Sequence, residues 1–220
     1  MTNPKHLIGF LGGPCVGKTT LTNHLLEALE HRGVRAAWAR EFATDDIRRN
    51  GPPDPNLIPM EQLRYYLGFV DVETRAMMEG DVVIADCPTL TCYVYALHSM
   101  NLLTEPRHHL FIEDLKSLFL RDRERYDHLY LLKREGKYEF NGIRFQSEKA
   151  AWEVDRIIHS LVEEFDLPVI HLEGTPKQRT QKVLKDLEKA GVIPCAKTAE
   201  KSEKKRVSHR QVTAAAALSY

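Results

Sequence analysis

The feature that most constrains the fold of this chain is a glycine-rich stretch near its start, Gly12-Gly13-Pro14-Cys15-Val16-Gly17-Lys18-Thr19-Thr20. It fits the spacing of a glycine, four further residues and then Gly-Lys-Thr. An apolar run over residues 7–11 precedes it and predicts a buried strand, and apolar residues at helical spacing over 21–29 follow it. A strand, a glycine loop and a helix in this order are the context in which the motif forms a phosphate-binding loop.

The chemistry of a phosphate chain explains why these residue types occur together. Backbone N–H groups must approach the phosphates closely, and glycine allows this because it has no Cβ. The helix that follows adds unpaired amides and the positive end of its dipole. We expect Lys18 to reach the β- and γ-phosphates, the Thr19 hydroxyl to bind Mg²⁺, and Thr20 to add a phosphate contact. The stretch over 12–20 therefore predicts a site for a nucleoside triphosphate, with ATP and Mg²⁺ as the cofactors.

The length and composition are those of a globular chain with one large domain. The 220 residues are 43% hydrophobic and 28% charged, which is sufficient to bury a core. The formal net charge is zero, so no global field attracts nucleic acid or a membrane surface. The segment 191–220 alone carries a formal charge of +4. We therefore expect one domain over 1–190 and a basic, flexible C-terminal tail over 191–220.

The cysteines and the hydropathy pattern favour a cytoplasmic protein. The four cysteines, at positions 15, 87, 92 and 195, have neither metal-ligand nor disulfide-framework spacing, which is typical of a reducing compartment. No apolar run approaches the length that spans a membrane, so we expect no membrane partner. The oligomeric state stays open.

Periodicity divides the chain into alternating strands and helices. Strands are predicted over 7–11, 34–39, 81–86, 127–132 and 168–172. Helices are predicted over 21–29, 40–50, 59–79, 89–101, 106–125, 147–165 and 175–190, the last opening on the capping box Thr175-Pro176-Lys177-Gln178. This alternation implies an α/β fold of the P-loop NTPase type, with a five-stranded parallel sheet and helices on both faces.

Two carboxylates are predicted to lie beside the glycine loop, because ligands of parallel sheets bind beyond the C-terminal ends of the strands. Asp86 ends the third strand and suits the acidic position that holds Mg²⁺ through water. The alternative for Asp86 is a helix N-cap. Glu41 follows the second strand and could accept a proton from a substrate hydroxyl. The alternative for Glu41 is a solvated acid in the first turn of a helix.

A basic and aromatic segment over 133–146 resembles a small lid, and we call it the lid segment. Asn141-Gly142 between aromatic residues predicts a hairpin within it. Cations on such a segment would neutralise a transferred phosphate and exclude water, and Arg144 is the predicted one. The alternative is a solvated basic loop. Arg64, Tyr65 and Tyr66 are possible substrate contacts, with Tyr offering a stacking face.

The order of these motifs resembles the NadR-like P-loop ATPase/kinase family, which includes ribosylnicotinamide kinases and borders on the thymidylate kinases. The resemblance covers roughly residues 5–190. It is carried by the glycine loop, Glu41, Asp86-Cys87-Pro88, Tyr126-Asp127-His128-Leu129-Tyr130-Leu131-Leu132 and Asn141-Gly142-Ile143-Arg144-Phe145. It implies an ATP-dependent kinase with a five-stranded parallel sheet.

The chain departs from that family at three places. Cys87 replaces an arginine after the strand-ending aspartate, Asn141 replaces an aspartate, and Thr44 replaces an arginine shortly after Glu41. Two charges on the substrate side are thereby lost, whereas the ATP side stays whole. A kinase that phosphorylates 5-hydroxymethyluracil in viral DNA is therefore an alternative, and the basic tail would suit a DNA substrate.

The residues favour a kinase over other uses of the loop. We expect transfer of the γ-phosphate of ATP to a hydroxyl of a nucleoside- or nucleotide-type acceptor, with Lys18, Glu41, Asp86 and Arg144 in catalytic roles. A GTP-dependent switch would carry an Asn/Thr-Lys-x-Asp guanine-binding motif, which the sequence lacks. An ATPase motor would have a second acid after Asp86, where Cys87 stands. A non-kinase P-loop ATPase is the second alternative. A protein that binds ATP without turnover stays open.

Overall fold

The structure is a computed structural model, and it describes residues 5–52, 58–99, 106–135 and 147–195, without the side chains of 58, 59, 106 and 107. The described strands are β1 (His6–Leu11), β2 (Ala36–Ala39), β3 (Val82–Ala85), β4 (His128–Leu132) and β5 (Val169–Leu172). The described helices are α1 (Lys18–Glu30), α2 (Phe42–Asn50), α3 (Ile58–Glu79), α4 (Thr91–Ser99), α5 (Pro106–Asp122), α6 (Glu148–Glu164) and α7 (Pro176–Lys189).

The five strands form one parallel sheet in the order β2-β3-β1-β4-β5. The central strand β1 pairs with β3 on one side and with β4 on the other. Gly9 is the Cα partner of both Ala85 and Leu129, and Ala85 is in turn the partner of Ala39. This register brings the ends of the strands to one edge, so the segments that follow β1, β2, β3 and β4 emerge side by side.

Two hydrophobic cores cover the two faces of the sheet. Successive side chains of β1 alternate between them: Leu7 and Leu11 pack into one core, and Ile8 and Phe10 into the other. Helices α3, α4, α5 and α6 contribute to the first core, whereas α1 and α7 contribute to the second. The predicted α/β architecture with helices on both faces is confirmed.

The element bounds differ from the predicted ones by a few residues. β2 begins at Ala36 rather than at 34, and β3 ends at Ala85, so that Asp86 stands just beyond the strand. α4 begins at Thr91, and α5 ends at Asp122. The predicted hairpin around Asn141-Gly142 lies outside the described residues.

Candidate active site

The glycine loop connects the end of β1 directly to the start of α1. The chain leaves the strand at Leu11, turns through residues 12–17 and enters the helix at Lys18. Gly12 and Gly17 have φ angles of 147° and 96°, which L side chains rarely adopt, and Cys15 has a φ of 58°. The loop thus has the backbone that the motif predicts, and it ends at a helix N-terminus, where amides lack intrahelical acceptors.

Lys18 lies inside this loop. Its side chain is only 5% exposed, and its ammonium donates hydrogen bonds to the carbonyl oxygens of Gly12 (2.7 Å) and Gly13 (2.9 Å). Both acceptors belong to the loop itself, so the positive charge is held in the concave side of the turn. This is the position from which an ammonium can interact with bound phosphate groups.

Thr19 and Asp86 form the second feature of the site. The Thr19 hydroxyl donates to Asp86 Oδ2 at 2.7 Å, and Asp86 is 3% exposed. Asp86 lies five positions before α4 begins at Thr91, so it does not cap that helix. Its backbone N–H donates to the Ala39 carbonyl oxygen at 3.3 Å, which fixes it against the end of β2.

The hydroxyl and carboxylate oxygens of this pair are hard ligands that fit Mg²⁺. Mg²⁺ prefers one or two protein oxygens together with phosphate oxygens and water. Within the described ranges, no group of three or more His, Cys, Asp and Glu side chains could hold a metal ion. A magnesium ion held by this pair would take its other ligands from phosphate oxygens and water.

Glu41 stands at the end of the neighbouring strand and is the N-cap residue of α2. Its carboxylate accepts a hydrogen bond from the Thr44 hydroxyl at 2.7 Å. Burial is the main cause that raises the pKa of the nearby Cys87 thiol to about 12; the charges of Glu41 and Asp86 act in the same direction, and that of Lys18 acts in the opposite one. The charges of the three predicted residues therefore all act on one buried thiol.

The structure describes only residues 133–135 of the lid segment, and their side chains bind other parts of the protein. Lys133 pairs with Glu173 at 3.0 Å, and Glu135 accepts a hydrogen bond from the Gly174 amide at 2.7 Å. Arg134 Nε donates to Asp155 of α6 at 2.6 Å, and its Nη2 donates to the Pro14 carbonyl at 2.7 Å. Arg144 and the rest of the segment, 136–146, lie outside the described residues.

Arg179 of α7 supports the loop from a different direction. Its Nη1 donates to the carbonyl of Val16 at 2.9 Å, and its Nη2 donates to the carbonyl of Lys133 at 2.6 Å. The side chain is buried, and burial lowers the pKa of its guanidinium. One cation therefore joins the glycine loop to the end of β4.

The predicted substrate contacts on α3 have partners within the protein. Arg64 forms a two-point pair with the buried Asp46, at 2.9 and 2.6 Å, and also binds Glu61. Its guanidinium lies over the ring of Tyr65, 4.8 Å from the centroid. Burial raises the pKa of Tyr65 to about 12. Tyr66 donates to Asp122 at 2.8 Å, as part of a buried cluster.

That buried cluster holds the segment that follows Asp86. The Thr89 amide donates to the Tyr126 hydroxyl at 2.8 Å, and the Thr89 hydroxyl donates to Asp122 at 3.0 Å. Tyr126 in turn donates to Glu73 of α3 at 2.7 Å, and Arg125 bridges Glu73 and Asp122 at 2.9 Å each. The loop that carries Asp86 is thus fixed to α3 and α5 by charged groups.

Sequence reasoning missed Asp155, Arg179 and Glu73, although each left a signal. Each is a charged residue on the apolar side of an amphipathic helix, where a charge must have a partner. Asp155 lies between the buried Val154 and Ile158, for example. A charged residue on the apolar side of a helix is expected to have a partner, but the sequence pattern does not identify that partner.

The chain belongs to a known family. Residues 7–179, well over half of the chain, match the family described as AAA domain. No curated protein sequence matches the chain significantly. None of the described helices is long and apolar enough to cross a membrane.

Solved structures share the fold at low sequence identity. The NadR protein in complex with NR matches with a TM-score of 0.64 and 18% identity, over 84% of this chain and 50% of that one. Thymidylate kinase from Candida albicans matches with a TM-score of 0.64 and 11% identity, over 87% of this chain and 95% of that one. Deoxyadenosine kinase from M. mycoides, with the products dCMP and dCDP, matches with a TM-score of 0.61 and 12% identity, over 83% of this chain and 99% of that one.

These matches confirm the P-loop fold and the predicted resemblance to NadR-like and thymidylate kinase-like proteins. The chain spans about half the length of the NadR chains that it matches.

Proposed function

We propose that this protein is an ATP-dependent kinase that transfers the γ-phosphate to a hydroxyl of a nucleoside- or nucleotide-type acceptor. The observation that carries the proposal is the juxtaposition of the Lys18-bearing loop with the Thr19–Asp86 pair, 2.7 Å from oxygen to oxygen. The fold neighbours support it, because they include NadR with NAD and AMP-PNP and a deoxyadenosine kinase with bound dATP.

Each part of the proposed site has a role in phosphoryl transfer. The amides of the loop and the Lys18 ammonium would hold the β- and γ-phosphates, where negative charge accumulates in the transition state. Thr19 and Asp86 would hold Mg²⁺, which supplies charge neutralisation and orients the phosphates when it is bound. Glu41 would accept the proton of the attacking hydroxyl. For Arg144 we propose a contact with the transferred phosphate.

The residue after Asp86 favours transfer over hydrolysis. A motor-type ATPase would have a second carboxylate next to the metal-binding acid to activate water, and Cys87 stands at that position. The Cys87 side chain is buried and its Sγ lies 3.1 Å from the Thr91 hydroxyl, so it faces the protein interior. The half-buried carboxylate of Glu41 instead follows the neighbouring strand, at the N-cap of α2.

A labelled-phosphate assay tests the proposal. The purified protein is incubated with [γ-³²P]ATP, Mg²⁺ and one acceptor at a time: free nucleosides, nucleoside monophosphates, nicotinamide riboside, and duplex DNA with or without 5-hydroxymethyluracil. We expect label on a free nucleoside or nucleotide. Label only on modified DNA would instead assign the alternative, a DNA-base kinase. No label on any acceptor would contradict the proposal.

A matched pair of lysine variants serves as the control. Lys18→Ala should lower the rate of transfer by about 10²-fold or more, because it removes a charge aimed at the transferred group. Lys182→Ala removes an exposed lysine from α7 and should leave the rate unchanged. Full activity in Lys18→Ala would overturn the assignment of the loop.

A further inference from the structure

The glycine loop makes a direct contact with α6. The Gly13 amide donates to Asp155 Oδ1 at 2.7 Å. A Cβ at position 13 would stand 2.6 Å from that oxygen and 2.9 Å from the Ala151 carbonyl oxygen, so only glycine permits the approach. A helix far along the chain therefore fixes the backbone at the start of the loop.

The contact places a negative charge next to a loop that is built to hold anions. The Asp155 side chain is 12% exposed, so water screens it poorly. Unopposed, its carboxylate would repel a bound phosphate chain. A group that cancels this charge is needed if the loop is to bind a nucleotide.

Arg134 is that group. Its Nε donates to Asp155 Oδ2 at 2.6 Å and its Nη2 donates to the Pro14 carbonyl at 2.7 Å, so one guanidinium spans the carboxylate and the loop. The Arg134 side chain is 5% exposed, and its guanidinium lies 5.6 Å from the ring centroid of Trp152. Two of its donors are thus committed to the protein itself.

We propose that Arg134 and Asp155 are positioning residues that hold the glycine loop in its phosphate-binding shape, with Arg134 masking the Asp155 charge. The proposal rests on the proposed nucleotide binding. It assigns to Arg134 a different task from the one that cations of a lid perform, since the guanidinium acts on the loop through Asp155 and the Pro14 carbonyl and not on the transferred phosphate.

The two tasks predict opposite outcomes in a double-variant experiment. If Arg134 masks Asp155, then Arg134→Met leaves a buried, unopposed carboxylate beside the phosphates. Adding Asp155→Asn to the same chain removes that negative charge, and nucleotide binding should recover. Asn at 155 keeps an oxygen that can accept from the Gly13 amide. If Arg134 instead binds phosphate directly, Asp155→Asn should change the affinity by the same factor in the wild type and in Arg134→Met.

The measurement is the affinity for Mg²⁺–AMP-PNP by titration calorimetry, on the full chain, for the wild type, both single variants and the double variant. We expect Arg134→Met to weaken binding by at least about tenfold, because one partner of a buried pair is lost. The double variant should regain most of that loss. Arg134→Lys, which keeps the charge but loses the two-point geometry, should fall between the wild type and Arg134→Met.

Two controls separate the possible failures. The melting temperature of each variant without nucleotide shows whether a weak binder is still folded, and Arg156→Met, an exposed neighbour on α6, should bind like the wild type. A wild type that does not bind the nucleotide would refute the proposed function itself. A wild type that binds would refute the positioning role alone in either of two cases: the double variant is as weak as Arg134→Met, or Asp155→Asn changes the affinity by the same factor in both backgrounds.

Discussion

Thr19 and Asp86, the two residues proposed to hold Mg²⁺, are brought together only by the fold. They are 67 residues apart in sequence, yet their oxygen atoms lie 2.7 Å apart. The Thr19 hydroxyl donates to the carboxylate in this arrangement, whereas both oxygens would turn toward Mg²⁺ when it binds. The pair should therefore couple the affinity for nucleotide to the presence of magnesium.

Replacing Thr19 by Val tests this coupling, since the side chain keeps its shape and loses only the oxygen ligand. Outer-shell partners alone are worth about 10- to 100-fold in metal affinity, so the loss of a direct ligand should weaken the magnesium dependence of ATP-analogue binding by at least about tenfold. The measurement compares AMP-PNP affinity with Mg²⁺ and with a chelator. Thr74→Val, an exposed position on α3, is the control. An unchanged magnesium dependence in Thr19→Val would remove Thr19 from the metal site.

The sequence alone predicts the loop side of the candidate site but not the residues that support the loop. Lys18 and Thr19 are recognisable because a local spacing defines them, and Asp86 and Glu41 because they follow predicted strands. Asp155 and Arg179 act through contacts with residues far away in sequence, which no local pattern encodes. The same limit applies to Tyr66, whose hydroxyl binds the buried Asp122.

The N-terminal cap of helix α7 helps to position Arg179, a residue that contacts the glycine loop. Thr175 and Gln178 form the predicted capping box. The backbone N–H of Gln178 donates to the Thr175 hydroxyl at 3.3 Å, and the backbone N–H of Thr175 donates to the side-chain Oε1 of Gln178 at 2.8 Å. Arg179 is the next residue of the helix, and it supports the glycine loop. The cap therefore fixes both the start of α7 and the position of this cation.

Thr175→Ala should lower the free energy of unfolding by about 1 kcal/mol, because it removes an N-cap acceptor. Chemical denaturation measures the change. Ser117→Ala, an exposed position in the middle of α5, should change stability by less than about 0.5 kcal/mol. Equal effects of the two variants would mean that the cap contributes nothing.

Most elements could be predicted because helical and strand periodicities are local properties. The five strands, their parallel arrangement and the long α3 follow from apolar patterns and from glycine and proline positions. The exact ends were less predictable. β2, for instance, begins two residues later than its apolar run, since it pairs in register with the short β3 from Ala36 onward.

Taken together, helices on one face of the sheet share a buried ionic cluster that binds the loop carrying Asp86. Glu73, Asp122 and Arg125 are its charged centre, and Tyr126 and Thr89 connect it to the loop after β3. Burial raises the pKa of Glu73 to about 7, although the hydrogen bond from Tyr126 and the charge of Arg125 oppose the shift. Asp122 is different: burial acts to raise its pKa, but hydrogen bonds from Tyr66, Arg125 and Arg121 hold it below the ordinary value.

Glu73 should make the stability of the whole domain depend on pH. Between its ordinary pKa of 4.5 and about 7, the folded protein keeps a proton that the unfolded chain has released. The contribution of Glu73 to stability is therefore complete below about pH 4.5 and is lost as the pH rises through 7, with an upper limit of about 3 kcal/mol. Denaturant unfolding at several pH values, for the wild type and Glu73→Gln, measures the difference.

The expected result is a flatter pH profile in Glu73→Gln than in the wild type. Glu79→Gln, at an exposed position of the same helix, should keep the wild-type profile. Parallel profiles for the wild type and Glu73→Gln would show that this carboxyl does not titrate abnormally in the folded protein.

The most direct test of the kinase chemistry is the partition of the γ-phosphate between an acceptor and water. With labelled ATP and the acceptor that takes label, the amount of phosphorylated acceptor is compared with the inorganic phosphate released. The positions of Asp86, Cys87 and Glu41 predict that transfer dominates, and the loss of the Lys18 charge predicts that Lys18→Ala lowers transfer by about 10²-fold or more. Release of inorganic phosphate at the same rate with and without every acceptor would instead make the protein an ATPase and contradict the assignment.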